Sequence, residues 1–70
     1  FVHIAPNATL CGGVQIGDET FIGAGVVVLP QIKIGKRVTV GAGSVVTKNI
    51  PDGATVVGNP GKIINSHGAI

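Results

Sequence analysis

Every sixth residue from Ile4 onward is aliphatic. The series runs Ile4, Leu10, Ile16, Ile22, Val28, Ile34, Val40, Val46. Ile, Leu and Val make up 22 of the 70 residues, so such a run arises by chance roughly once in ten thousand tries against a fixed template. The fifth place of each hexad holds Ala8, Val14, Thr20, Val26, Ile32, Val38, Ser44 and Ile50, all small or aliphatic. Side chains alternate along a strand. Places five, six and one therefore make a short strand whose ends point inward and whose middle points outward. Places two to four must turn a corner. At place four, Asn7, Gly13, Gly25, Gly43 and Asn49 are residues that accept positive φ at low cost. Three such sides close a triangular coil of 18 residues, the signature of a parallel β-helix. The regular repeat covers residues 4–51, and the helix is expected to span 1–61 with 62–70 as a tail.

An offset of one coil makes checkable predictions. Asp18-Glu19 falls below Lys36-Arg37, an expected cross-coil ion pair at one corner. Gly23-Ala24-Gly25 falls below Gly41-Ala42-Gly43, with Asn59-Pro60-Gly61 above that. Asp52 lands in an inward slot, where a lone charge is costly. The last coil is therefore expected to open at Asp52-Gly53. Under three coils give a small core with unpaired strand edges at both ends. Oligomerisation, or further coils beside these, is the expected remedy. The chain starts at Phe1 in mid-repeat, as a C-terminal piece of a longer protein would.

Composition narrows the function classes. A net charge of +2 makes no demand for nucleic acid. No apolar run is long enough to span a membrane, and Phe1-Val2-His3 carries no secretory pattern. The single Cys11 closes no internal disulfide, which fits a reducing cytoplasm. Its thiol has no basic neighbour in sequence to activate it.

The block Val40-Gly-Ala-Gly-Ser-Val-Val-Thr-Lys-Asn-Ile-Pro51, with Val57-Gly-Asn-Pro-Gly-Lys-Ile63 and Val2-His3-Ile4-Ala5-Pro6-Asn7-Ala8, resembles hexapeptide-repeat acyltransferases. The bacterial sugar O-acyltransferase group, with its sialic-acid O-acetyltransferases and UDP-sugar N-acetyltransferases, is the nearest match. The resemblance implies a left-handed β-helix. It implies a homotrimer with acetyl-CoA along a corner between subunits, and a sugar or nucleotide-sugar acceptor. In such relatives the catalytic His lies in earlier coils that this chain lacks. His3 matches the second His, the one that contacts acetyl-CoA, and is the candidate catalytic residue here.

The residues themselves point to the same edge. The corner of Gly23, Ala24, Gly41 and Ala42 has no bulky side chain to obstruct a ligand, and its backbone amides are expected to face a pantetheine arm. Lys48 and Lys62, with Pro60 nearby, are expected to meet CoA phosphates as point charges. Thr9, Val27 and Val45 form an outward ladder, expected at a subunit contact or acyl groove. The same glycines also serve the turns, and the same lysines also serve as solvated surface. A zinc hydratase on this scaffold needs three His ligands. Only His3 and His67 exist, so no metal is expected. A non-catalytic trimeric scaffold, or a gene fragment, is the alternative reading.

Overall fold

The computed structural model of the chain describes residues 1–66. The strands are β1 (His3–Ile4), β2 (Thr9–Leu10), β3 (Gln15–Ile16), β4 (Phe21–Ile22), β5 (Val27–Val28), β6 (Lys33–Ile34), β7 (Thr39–Val40), β8 (Val45–Val46), β9 (Ala54–Val57) and β10 (Lys62–Ser66). The first sheet is ordered β1-β4-β7-β9-β10, the second β2-β5-β8 and the third β3-β6. Strands one coil apart are parallel and in the expected register. His3 pairs with Phe21, Thr9 with Val27, Gln15 with Lys33, Ile22 with Val40, and Val28 with Val46. The chain is an all-β, left-handed parallel β-helix of about three coils.

The inward places form the core. Ile22, Val26, Val28, Val38, Val40 and Val46 are fully buried, and Ile32 and Ile34 nearly so. Ala8, Leu10, Val14 and Ile16 are partly covered at the lower rim. Thr20 is buried at place five. Its hydroxyl donates to the Gly35 carbonyl at 2.7 Å and accepts from the Val38 N–H at 3.3 Å.

The corners divide their demands between two places. Place four is left-handed throughout the regular coils. Asn7, Gly13, Glu19, Gly25, Gln31, Arg37 and Gly43 all have positive φ. The requirement therefore extends to Glu19, Gln31 and Arg37, where a Cβ costs about 1–2 kcal/mol. Where place two is glycine, φ is ordinary but there is little room. A Cβ on Gly23 would stand 2.7 Å from the Ala42 nitrogen, and one on Gly17 would stand 2.7 Å from the Gly35 carbonyl carbon. Glycine there sets how closely successive corners stack.

The upper coil departs from the expected register. Ile34 bridges Ile50, and Thr39 and Val40 pair with Thr55 and Val56. The offset has contracted by two residues at the corner Thr47-Lys48-Asn49. Side-chain oxygens serve as acceptors for backbone N–H groups there. Asn49 Oδ1 accepts from the Lys33 N–H at 2.9 Å, and Asp52 Oδ1 accepts from the Lys36 N–H at 2.7 Å. Asp52 therefore lies exposed at a corner and not in an inward slot, and the coil does not open there. Ala54 and Val56 fill the inward places, both fully buried.

Three further expectations change, those for the chain end with that shift and the ion pair apart from it. Val57 and Gly58, not Asn59-Pro60-Gly61, stand above Gly41-Ala42: Gly41 N–H donates to the Val56 carbonyl at 2.8 Å. Residues 58–61 cross the top of the second sheet, where Gly61 N–H donates to the Val45 carbonyl at 2.7 Å. Residues 62–66 of the expected tail form β10, which pairs antiparallel to β9. The Asp18-Glu19 and Lys36-Arg37 corners do stack, through Arg37 N–H to the Asp18 carbonyl at 2.9 Å. Among the described residues no ion pair joins them, and the Asp18 carboxylate lies 3.4 Å from the Phe1 amino group. His67 lies outside the described residues.

Candidate functional site

One corner stack joins the first sheet to the second. From bottom to top it holds Ala5-Pro6-Asn7, Gly23-Ala24-Gly25 and Gly41-Ala42-Gly43. Gly25 N–H donates to the Pro6 carbonyl at 3.2 Å, and Gly43 N–H to the Ala24 carbonyl at 2.8 Å. Ala24 and Ala42 thus share one edge of the molecule, as the coil length requires. Both are exposed, as are Gly25 and Gly43, and a Cβ on either glycine would meet open space. The amide N–H groups of Ala24 and Ala42 donate to no other described residue. The edge is a strip of small residues with two backbone donors that no described residue uses. Such a strip can bond a linear ligand that carries amide carbonyls. Gly23 differs from its neighbours: it is buried beneath the Ala42 backbone, and coil stacking alone accounts for its identity.

His3 sits on the first sheet two residues before this corner, and its ring is exposed. Directly above it stands Phe21. The two rings are parallel, with centroids 5.0 Å apart and planes 6° from coplanar. The sequence reading missed Phe21, although the same one-coil offset places it over His3.

Lys48, Pro60 and Lys62 come together elsewhere. With Thr47, Asn49, Ile50, Gly61 and Ile63 they line an open groove of about 380 Å³ at the top of the coil. This groove lies at the corner between the second and third sheets. The expected cofactor residues therefore form two groups. His3, Gly23, Ala24, Gly41 and Ala42 lie along one corner, and Lys48, Pro60 and Lys62 at the upper end of the next. The face between them is the second sheet. Its outward ladder is Thr9, Val27 and Val45, in the expected register. Among the described residues, the groove that holds Lys48, Pro60 and Lys62 includes none of the glycine-corner residues. A larger open groove of about 580 Å³, on the third sheet, shares Asn49 and Ile50 with it and holds none of the expected cofactor residues.

Among the described residues no group of three or more His, Cys, Asp or Glu converges as a metal site would require. Among the described residues no helix is long and apolar enough to cross a membrane.

The chain matches the family described as bacterial transferase hexapeptide (six repeats), over residues 1–30 and 13–48. A comparison with curated proteins finds no match. Solved structures do match. The acetyltransferase domain of PglB from Neisseria gonorrhoeae is 49% identical, with a TM-score of 0.89 over 90% of this chain and 31% of that one. PerB from Caulobacter crescentus, solved with CoA and GDP-perosamine, is 41% identical, with a TM-score of 0.88 over 90% of this chain and 30% of its own. A maltose O-acetyltransferase from Clostridium difficile is 38% identical, with a TM-score of 0.88 over 93% of this chain and 44% of its own. The chain thus spans about a third of the first two relatives.

Proposed function

Because the chain belongs to the bacterial transferase hexapeptide family, we propose that it is the acetyl-CoA-binding portion of a sugar or amino-sugar acetyltransferase. One observation carries this reading. The PglB domain, 49% identical to this chain, has also been solved in complex with acetyl coenzyme A. The unobstructed edge at Ala24 and Ala42 is suited to a pantetheine arm, whose two amide carbonyls are acceptors for the N–H groups left without a described partner. Lys48 and Lys62, in the upper groove, supply positive charge for the phosphates. The two groups lie on different corners, so a second subunit against the Val27–Val45 face would bring a complete groove together. A homotrimer meets that need and covers the ladder. A cytoplasmic setting goes with acetyl-CoA and with one unpaired cysteine.

The chemistry follows from the thioester. An acceptor hydroxyl or amine attacks the carbonyl carbon, the C–S bond breaks, and CoA leaves as the thiolate. An imidazole takes the acceptor proton and returns it to sulfur, while backbone N–H groups stabilise the oxyanion. In this role His3 faces the acetyl end of the cofactor. Coils beyond those of this chain supply the acceptor site, so binding is expected here with weak turnover or none.

Calorimetric titration of the chain with acetyl-CoA tests the reading, with light scattering for the assembly. Saturable binding by a trimer is the expected result. A stable trimer that takes up no acetyl-CoA at millimolar concentration would favour a structural scaffold instead.

A further inference from the structure

We infer that Phe21 is a positioning residue, which holds the His3 imidazole in the orientation that meets the acyl end of the cofactor. The inference rests on the acetyl-CoA reading above and adds a residue to it.

The coil itself builds the stack. His3 and Phe21 are register partners on adjacent parallel strands, β1 and β4. Both occupy outward places. Neighbouring strands lie about 4.8 Å apart, so two flat outward side chains at paired positions meet face to face. The observed centroid separation of 5.0 Å and tilt of 6° match that spacing. The stack is bound to the backbone at both ends. His3 N–H donates to the Thr20 carbonyl at 3.0 Å, and Ala5 N–H to the Ile22 carbonyl at 2.8 Å.

An exposed His on a strand otherwise samples several rotamers. No side-chain hydrogen bond fixes the His3 ring among the described residues, and the aromatic contact is its restraint. Stacked aromatic pairs favour the paired geometry by roughly 2- to 10-fold. Phe21 is itself 42% exposed. It contributes less to the core than an inward residue, and an exposed phenyl ring in a chain with two aromatics calls for a reason. Two residues after Phe21 the chain enters the Gly23-Ala24-Gly25 corner. The phenyl ring therefore fixes the imidazole beside the strip where the pantetheine arm is proposed to lie.

The test is a double-mutant cycle in the full chain, read by calorimetry with acetyl-CoA and by the imidazole ring-proton NMR signals. His3→Asn assigns those signals. Phe21→Leu should remove the ring-current displacement of the His3 signals and weaken acetyl-CoA binding roughly 2- to 10-fold. Phe21→Tyr should restore both, which a loss of stability would not. In the His3→Asn background, Phe21→Leu should have no further effect on binding. Unchanged binding in Phe21→Leu beside a wild type that binds, or an equal loss in the His3→Asn background, would overturn this inference and leave the functional reading standing. A folded wild type that fails to bind acetyl-CoA would overturn the functional reading, and this one with it.

Discussion

Replacing Gly23 with alanine tests what sets the distance between coils. The backbone conformation of Gly23 is ordinary, so the cost of Gly23→Ala comes from space alone. The added Cβ would stand 2.7 Å from the Ala42 nitrogen, 2.8 Å from the Val40 carbonyl oxygen and 3.0 Å from the Ala42 Cα. All three are backbone atoms of the coil above, and none can swing aside. Overpacking of this kind costs about 1–3 kcal/mol. Separating the coils also strains the bond from Gly23 N–H to the Val40 carbonyl, 2.9 Å long, at about 1 kcal/mol. The sum is roughly 2–4 kcal/mol, which for a domain this small lowers Tm by roughly 10–30 °C. Two controls separate the causes. Gly25→Ala meets open space but has φ of 69°, and should cost about 1–2 kcal/mol from left-handed strain. Gly12→Ala meets nothing and needs no positive φ, and should be neutral or stabilising by up to about 1 kcal/mol. Thermal melts at one fixed protein concentration give the ranking, since assembly makes Tm concentration-dependent. A Gly23→Ala melt equal to that of Gly12→Ala would refute close corner stacking as the role of place two.

Thr20→Val keeps the shape but strips the hydroxyl from two buried backbone partners, Gly35 and Val38. It should cost about 1–3 kcal/mol in urea unfolding, with Thr20→Ser retaining most of the hydrogen-bonding contribution. Asn49→Ala should lose about 1 kcal/mol by leaving the Lys33 N–H without its acceptor. Asn49→Asp, which keeps an acceptor oxygen, should lose less, and equal losses would count against a backbone-mimicking role. Lys48→Ala with Lys62→Ala should weaken acetyl-CoA binding and flatten its dependence on salt. A double variant with the wild-type salt slope would remove both lysines from the phosphate site.

The coil was legible in the sequence because one physical rule recurs at each hexad. Inward slots accept only aliphatic or small residues, and that demand is met in series from Ile4 to Val46. The left-handed corner was legible in part. Asn7 and Gly13 announce it, while Glu19, Gln31 and Arg37 carry the same backbone with no compositional sign. The contraction at Thr47-Lys48-Asn49 was hidden. Ile50 suits an inward slot in either register, and the side-chain oxygens of Asn49 and Asp52 accept from backbone N–H groups, which periodicity does not count. From that point the placements by an 18-residue offset failed for Asp52 and Asn59-Pro60-Gly61. The strand β10 followed no hexad and had no period to reveal it. In the site, Ala24 and Ala42 were placed on one edge correctly, because backbone stacking decides it. The ion pair at Asp18 and Lys36 was not, because long exposed side chains gain little by meeting. Lys48 lies one corner on from Ala42 by the hexad itself, and Lys62 meets it there because the chain reverses into β10, which no repeat announces.

The antiparallel strand β10 gives the stack a direction of growth. A parallel coil added above would need the edge of β9, and β10 already occupies it. Residues 58–61 take up the backbone groups of Val45 in the same way. Among the described residues the upper edges of the first and second sheets are thus taken, and extra hexads, whether grafted by design or gained by duplication, find an open flank beneath, at Ile4.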